Sequence, residues 1–182
     1  MTRSKKRGFS LGEILVAVAI IAVLAAVVLP SIGSQLNKGD NGRVESDLAA
    51  IQAGVQQFLA DVRRYPASVQ QLVVLITTGN SDVSGLAYTT SQVGRWRGPY
   101  LSKDSTGAGA TGYNTRITAT FQNITVGSQK WLVMLVPGID TINAVEIDAA
   151  MDDGKTATGQ VQWVRNGAAS DGTLKYFALP IQ

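Results

Sequence analysis

Two successive hydrophobic patterns fill the first third of the chain. Residues 14–29 are drawn only from Ala, Val, Ile and Leu, and such a run predicts a helix that is apolar on every side. At about 1.5 Å per residue it would be about 24 Å long, and Phe9, Leu11 and Ile32 extend it towards the roughly 30 Å of a bilayer core. We therefore predict a transmembrane helix over residues 9–32.

The second pattern is amphipathic and covers residues 43–62. Its apolar residues recur at spacings of three and four, which predicts a helix with one face packed on a sheet; they are Val44, Leu48, Ile51, Val55, Phe58, Leu59 and Val62. Pro30 clashes with the carbonyl four residues before it, and residues 33–42 are rich in Gly and Asn. We predict one long helix, kinked near Pro30, with residues 33–62 as its amphipathic continuation. Two separate helices joined by a loop are the alternative.

Residues 63–182 predict a small globular domain. Tyr65-Pro66 ends the long helix, because a residue before proline is driven away from the helical region. Ser68-x-x-Gln71 matches a capping box that would open a short helix. Alternating apolar residues predict a strand at residues 117–121, and a nearly continuous apolar run predicts another at residues 131–136. A last pair of strands is predicted at residues 161–164 and 174–179.

Three further local signals refine this domain. Pro137-Gly138 predicts a turn, Asp140 predicts the cap of a short helix, and the last two strands predict a hairpin. The predicted fold class is therefore α+β, a long N-terminal helix packed on a small antiparallel sheet.

Composition excludes several classes of function. The chain has no His and no Cys, which excludes Ser-His and Cys-His catalysis and disfavours zinc. No carboxylate pair is marked for catalysis, so we predict that the protein is not an enzyme. The net charge is +3, but residues 1–8 hold four of the 16 Lys and Arg and none of the 13 Asp and Glu. Without them the net charge is −1, and only short basic pairs remain, so no specific nucleic-acid partner is indicated.

Glu13 stands at the entrance of the predicted transmembrane helix. A charged side chain inside a membrane helix costs about 2.5 to 3.5 kcal/mol even on insertion scales, so this carboxylate is expected to need a cationic partner. It could instead reach water at the headgroup layer. Four basic residues precede it without an acid among them, and this charge bias predicts a cytoplasmic N-terminus.

The stretch Gly8-Phe9-Ser10-Leu11-Gly12-Glu13, between a basic leader and an apolar helix that contains Pro30, resembles the class III signal of type IV pilins and type II secretion pseudopilins. The resemblance implies a leader, residues 1–8, which prepilin peptidase removes between Gly8 and Phe9, and N-methylation of Phe9. It also implies that Glu13 pairs with the Phe9 amine of a neighbouring subunit, with Leu11 and Pro30 in the assembly helix. An ordinary secretory signal peptide is the competing interpretation.

A second resemblance covers roughly residues 8–104. The order of helix, Arg64-Tyr65-Pro66, short helix and Trp96-x-Gly98-Pro99-Tyr100-Leu101 is similar to the major pseudopilins of type II secretion. The Gly-Pro pair predicts a rigid turn, and the aromatic residues are expected to fix that loop on the helix as core residues rather than to bind a ligand. Beyond residue 104 the resemblance weakens.

Asp148, Asp152 and Asp153 form an oxygen-rich cluster. Calcium binds six to eight oxygens, commonly from several carboxylates, so a calcium site is one hypothesis and a solvated turn is the other. No other cofactor is expected.

These patterns and resemblances together predict a structural subunit. It would enter the bacterial inner membrane, with its C-terminal domain in the periplasm, and polymerise with copies of itself or with minor subunits through an assembly platform. The filament would be a type II secretion pseudopilus for protein export. The alternatives are a type IV pilus for adhesion, twitching motility or DNA uptake, and a membrane-anchored binding domain that never polymerises.

Overall fold

A computed structural model describes residues 9–101 and 117–181, and the side chains of residues 27–37 are not part of that description. The helices are α1 (Leu11–Val62), a 3-10 helix (Val69–Leu72), α2 (Thr90–Val93) and α3 (Thr141–Met151). The strands are β1 (Gln122–Val126), β2 (Gln129–Asp140), β3 (Val161–Arg165) and β4 (Asp171–Ile181). Contacts divide the chain into two compact units, Met1–Gly39 and Asp40–Gln182.

Helix α1 is a single element of 52 residues. The prediction of one long helix is therefore confirmed, and the alternative of two helices joined by a loop is wrong. The side chain of Pro30 lies outside the described part, so the kink near it stays a prediction. Among the described residues, no helix combines the length and the apolarity needed to cross a membrane.

The four strands form one antiparallel sheet in the order β1-β2-β4-β3, which confirms the α+β class. The predicted C-terminal hairpin is also confirmed, because β3 pairs with β4 from Val161 opposite Tyr176 to Arg165 opposite Gly172. The strand predicted over residues 117–121 is wrong, since β1 begins only at Gln122. The Phe121 N–H instead donates to the Ala67 carbonyl at 2.9 Å, and the Thr118 N–H donates to the Leu135 carbonyl of β2 at 2.9 Å.

Of the two signals predicted near residue 140, the helix cap is confirmed and the turn is wrong. Asp140 caps α3 as predicted, since its carboxylate accepts from the Asn143 N–H at 2.9 Å. Pro137-Gly138 does not end a strand. The pair lies inside β2, where the register shifts between Pro137 and Ile139 and Gly138 has a φ of 73°. A backbone angle in this region suits glycine, and the shift absorbs one extra residue as a bulge.

The predicted Ser68 cap is also wrong. The Ser68 side chain makes no capping bond, and the helix that follows is a 3-10 helix of four residues. Gln71 organises the segment instead. Its Oε1 accepts from the Ala67 N–H and the Tyr88 hydroxyl, and its Nε2 donates to the Ser81 carbonyl, all at 2.9 Å. The glutamine amide carries its acceptor oxygen and its donor nitrogen on separate atoms at the end of a longer side chain, so one residue bonds to three segments.

The core of the second unit lies where one face of α1 meets the sheet. Every apolar residue predicted for that face except Leu59 is fully buried. They share one cluster with sheet residues such as Leu132, Met134 and Leu174. Gln52, on the same helix, donates to the Ala178 carbonyl at 2.9 Å and accepts from the Tyr176 hydroxyl. The sheet therefore packs against the amphipathic half of α1 and is also hydrogen-bonded to it.

Candidate functional site

The N-terminus of α1 is closed by a reciprocal pair of hydrogen bonds. The Glu13 carboxylate accepts from the Ser10 N–H at 2.8 Å, and the Ser10 hydroxyl accepts from the Glu13 N–H at 3.2 Å. This is a capping box, in which two otherwise unpaired backbone donors find acceptors. The Ser-x-x-Glu spacing is visible in the sequence, yet Ser10 was not predicted to have a role. Glu13 thus holds its position without a cation from its own described residues.

The side chains around this cap are open to the surroundings. Phe9 is 85% and Leu11 is 84% exposed, and Glu13 is exposed too. Apolar residues on every side of the following turns are at least half exposed; they are Ile14, Leu15, Val16, Val18, Ile20, Ile21, Val23 and Leu24. Such a continuous apolar surface requires a lipid or protein environment. Gly8 lies outside the described residues, and so does the Pro30 side chain.

The loop of residues 94–101, called the aromatic loop here, packs on α1 through its aromatic side chains. The rings of Trp96 and Tyr100 stand edge to face at 5.6 Å, and Tyr100 meets Phe58 of α1 at 5.7 Å. The Trp96 indole N–H donates to the Gln71 carbonyl at 3.0 Å. A Cβ at Gly98 would overlap the Trp96 ring. These are packing contacts, which agrees with the expectation of core aromatics.

The remaining motif residues tie the end of α1 to the sheet. The Tyr65 hydroxyl donates to the Pro180 carbonyl of β4 at 2.7 Å, and Pro66 is buried. Pro66 also pairs with Asp82, whose carboxylate lies 3.3 Å from Arg64 Nε. Pro99 is exposed and follows a cis peptide bond from Gly98. Five of the six motif residues, all except Pro99, therefore contribute packing or hydrogen bonds to the fold.

The acidic cluster predicted from the sequence comes together at the end of α3. Carboxylate oxygens of Asp148, Asp152 and Asp153 lie within 4.8 Å of one another. Asp152 accepts from the Gln160 N–H, and Asp153 pairs with Lys155 at 3.4 Å. Asp148 is fully buried, and neither of its oxygens makes a hydrogen bond of normal length and angle, although the backbone N–H groups of Gly154 and Asp153 lie nearby.

The environment of Asp148 opposes its charge. Burial raises the pKa of its carboxyl group, and the neighbouring Asp152 and Asp153 carboxylates raise it further, while backbone N–H groups of Gly154 and Asp153 offset part of the rise. A cation among the three carboxylates would compensate this desolvated charge. The donor set is all oxygen, which suits calcium rather than zinc.

Comparison with known proteins finds a match at the N-terminus. Residues 3–29 match the family model described as the prokaryotic N-terminal methylation motif. No solved structure matches the chain.

Curated relatives share one name, type II secretion system core protein G. The protein from Klebsiella michiganensis is 38% identical over 77 residues, which cover 42% of this chain and 54% of the relative. The protein from Klebsiella pneumoniae is 35% identical over 43% of this chain and 56% of the relative. The one from Escherichia coli K12 is 36% identical over 40% and 50%.

The chain therefore spans about half the length of the curated relatives it matches. The methylation motif and the shared name confirm the resemblance to pilins and pseudopilins that the sequence predicted. The relatives carry the name of a secretion-system core protein and not of an enzyme, which agrees with the prediction that the chain has no catalytic role.

Proposed function

We propose that this chain is a structural subunit of a type II secretion pseudopilus, and specifically its major subunit. The observation that carries the proposal is the exposed apolar surface of α1 with a carboxylate at its N-terminal end. A surface of that kind is stable in a lipid bilayer or against the same surface of other copies. The shared name of the relatives supports the secretion system as the setting.

The first proposed step is insertion and processing. The chain enters the bacterial inner membrane through residues 9–32, with its basic N-terminus in the cytoplasm and residues 63–182 in the periplasm. Prepilin peptidase then cuts between Gly8 and Phe9, and Phe9 is N-methylated. The match to a methylation motif and the exposure of Phe9 support this step. Membrane lipid covers the apolar helix until assembly.

Mass spectrometry of the mature N-terminus tests processing. The protein purified from its native membrane should begin at Phe9 and carry one added methyl group on the amine. A mature chain that begins beyond Pro30 would identify an ordinary secretory signal peptide instead. A purified chain that keeps residues 1–8 would contradict the proposal that the protein is processed for assembly.

The second proposed step is polymerisation. Copies leave the membrane through an inner-membrane assembly platform and stack their N-terminal helices, alone or with minor pseudopilins, into a periplasmic filament. The Glu13 carboxylate accepts the methylated amine of Phe9 from a neighbouring copy. Its Oε2 already bonds to the Ser10 N–H, and a carboxylate has acceptor capacity for further donors. Pairing compensates two charges that would each be unfavourable alone in an apolar core.

Calcium binding is a second proposal, carried by the buried and unpartnered Asp148 carboxylate. Asp148, Asp152 and Asp153 would supply the carboxylate ligands, with carbonyl or water oxygens completing the shell. The ion would join the end of α3 to the segment before β3, because Asp152 also bonds to Gln160 and Val161. A solvated turn is the alternative, and it predicts no response to calcium.

Two alternatives to the pseudopilus predict different phenotypes. A type IV pilin would support adhesion, twitching motility or DNA uptake, and deletion of its gene would leave protein export intact. A membrane-anchored domain that never polymerises would not need Glu13. If the chain is a pseudopilus subunit, deletion of its gene should remove specific exported proteins from the culture supernatant while surface motility persists. Neighbouring genes for a secretin and a secretion ATPase, rather than a retraction ATPase, would support the same conclusion.

A further inference from the structure

A depression with a volume of about 790 Å³ lies on the face of the sheet that is turned away from α1. It is lined by Trp131 of β2 and Phe177 of β4, whose rings meet edge to face at 6.1 Å. Their neighbours Leu132 and Tyr176 belong to the core shared with α1, and adjacent residues of a strand point to opposite faces. We call this feature the tryptophan depression.

The rim of the tryptophan depression is held in place by hydrogen bonds. The Gln160 carbonyl accepts from the Phe177 N–H at 2.8 Å, and the Asp152 carboxylate accepts from the Gln160 N–H. The Gln162 side-chain nitrogen donates to the Gly159 carbonyl at 3.2 Å. The rim is thus formed before a ligand arrives, which reduces the entropy lost on binding. The described rim residues are Val126, Ala157, Thr158, Gly159, Gln160 and Gln162.

Trp131 differs from the other tryptophans of the chain in its indole N–H. The indole of Trp96 donates to the Gln71 carbonyl at 3.0 Å, and that of Trp163 donates to the Ile139 carbonyl at 2.8 Å. No described residue accepts a hydrogen bond from the indole of Trp131, which is only partly buried. Since an indole N–H can only donate, the tryptophan depression offers a ligand one donor beside an apolar ring.

The rim adds hydrogen-bond acceptors. The side chains of Gln160 and Gln162 each donate through Nε2, to the Tyr176 hydroxyl and to the Gly159 carbonyl. Their Oε1 atoms accept no bond from any described residue. None of the described residues that line the tryptophan depression carries a charge. An ionic ligand would lose its hydration there without gaining a counter-charge, so the depression favours a neutral ligand.

A sugar chain has the matching chemistry. One face of a pyranose ring exposes C–H groups, which pack on the apolar surface of an aromatic ring, and the hydroxyl groups at its edge both donate and accept hydrogen bonds. The volume is also in the range of about 300 to 1,000 Å³ that is usual for small-molecule sites. An apolar side chain would fill the same volume, but it would leave the Trp131 N–H and the glutamine oxygens without partners, which weakens binding.

We propose that the tryptophan depression binds a neutral oligosaccharide, with one sugar ring packed on Trp131 and hydroxyl groups bonded to the Trp131 indole and to the side-chain oxygens of Gln160 and Gln162. The source of this ligand is the glycan of the bacterial cell wall, which occupies the compartment of the proposed filament. That source rests on the proposed function, whereas the site itself does not. Stacking of α1 helices leaves the opposite face of the sheet free for the glycan.

Isothermal titration calorimetry of the full chain tests binding, in a detergent whose headgroup is not a sugar. The probe is chitotetraose, a neutral chain of N-acetylglucosamine, and it should give saturable binding. The matched control ligand is the same tetramer without its acetyl groups. It carries ammonium charges, and it should bind at least about tenfold more weakly because no described lining residue compensates them. No binding of chitotetraose, or equal binding of both tetramers, would overturn the proposal.

Three variants place the sugar in the tryptophan depression. Trp131→Ala should abolish binding of chitotetraose, because it removes both the ring and the donor. Gln162→Leu keeps the size of the side chain but removes its acceptor oxygen, and it should weaken binding about tenfold. Trp96→Phe, in the aromatic loop, is the control and should bind like wild type. Thermal unfolding midpoints identify any variant that fails to fold. Wild-type affinity in a folded Gln162→Leu, or tighter binding, would show that the site is apolar and would overturn the proposal.

Co-sedimentation with purified cell-wall sacculi tests the source of the ligand. The wild-type chain should sediment with the sacculi, and Trp131→Ala should stay in the supernatant. A wild-type chain that binds chitotetraose but does not sediment would overturn the cell wall as the source.

The failure of this site differs from the failure of the proposed function. If the wild-type chain assembles into filaments but binds no sugar, only the site is wrong. If it binds chitotetraose but forms no filament in cells that export protein, the proposed function is wrong and the site stands.

Discussion

The Tyr100 hydroxyl donates a hydrogen bond to the Asp61 carboxylate at 3.0 Å, across 39 positions in the sequence. The same hydroxyl accepts from the Arg97 N–H at 2.8 Å. One side chain therefore joins the last turn of α1 to the loop that carries Trp96. Burial raises the pKa of Tyr100 and the Asp61 carboxylate adds to this rise, whereas the Arg97 N–H opposes it, so the hydroxyl is protonated and can donate.

Tyr100→Phe removes this link without changing the ring. Hydrogen bonds to a charged group contribute about 1.5 to 3 kcal/mol, so we expect the free energy of unfolding to fall by about that amount. Chemical denaturation of the chain measures it. Asp61→Asn keeps an acceptor oxygen and should cost less than Tyr100→Phe. Equal stability of Tyr100→Phe and wild type would contradict a structural role for the hydroxyl.

Gly98→Ala should destabilise the aromatic loop. A Cβ there would overlap the Trp96 ring, and forced displacement of a packed side chain costs about 1 to 3 kcal/mol. Gly94→Ala is the matched control in the same loop, because its Cβ would meet its nearest neighbour at 3.5 Å and its φ is −66°. The unfolding midpoint should fall for Gly98→Ala and stay unchanged or rise for Gly94→Ala. A tolerated Gly98→Ala would mean that the ring is free to move.

Calcium should raise the thermal unfolding midpoint of the wild-type chain, and a chelator should reverse the rise. Binding at about a hundredfold excess over Kd stabilises a folded state by about 2.7 kcal/mol. Asp148→Asn should abolish the response, since it removes the charge of the buried ligand. Asp171→Asn, outside the cluster, should respond like wild type. A wild-type midpoint that ignores both calcium and chelator would leave a solvated turn as the explanation.

Glu146→Gln should lower the pKa of Glu45. In the folded chain burial and the Glu146 charge hold that pKa above its ordinary value of 4.5. Between the ordinary pKa of the unfolded chain and the raised pKa of the folded chain, the folded state binds more protons than the unfolded state. This group therefore makes the free energy of unfolding fall as the pH rises through that window. Glu146→Gln should reduce the fall. An NMR titration of the Glu45 side chain measures the shift, and Asp153→Asn serves as the control that leaves it unchanged.

Features that depend on neighbours in the sequence could be predicted. The spacing of apolar residues placed the second half of α1 and its buried face, and Asp140 was recognised as a cap because a helix N-terminus needs an acceptor. The alternative of two helices failed because residues 33–42 are carried in one continuous helix despite their glycines. Helix propensity is a weak preference of about 1 kcal/mol per glycine, which flanking structure overrides.

Features that depend on distant segments could not be predicted in full. Residues 117–121 alternate like a strand, but they bond to two different segments, Thr118 to Leu135 of β2 and Phe121 to Ala67, and so form no continuous ladder with the sheet. In the sequence Arg63 and Arg95 are members of short basic pairs, and only the closure of the loop between them places both at one surface depression. Ser10 is a different case, because its Ser-x-x-Glu spacing with Glu13 is local and identifies a capping box from the sequence alone.

The comparison of Glu13→Ala with Ser10→Ala tests the central claim most directly. Both variants break the capping box, which costs about 0.5 to 2 kcal/mol of helix stability, but only Glu13→Ala removes the carboxylate. The measurement is the amount of filament recovered after gentle lysis of cells that express each variant at equal level, with processing at Phe9 verified by mass. The account predicts that Ser10→Ala still assembles and that Glu13→Ala is processed but forms no filament. Normal filaments from Glu13→Ala would contradict it.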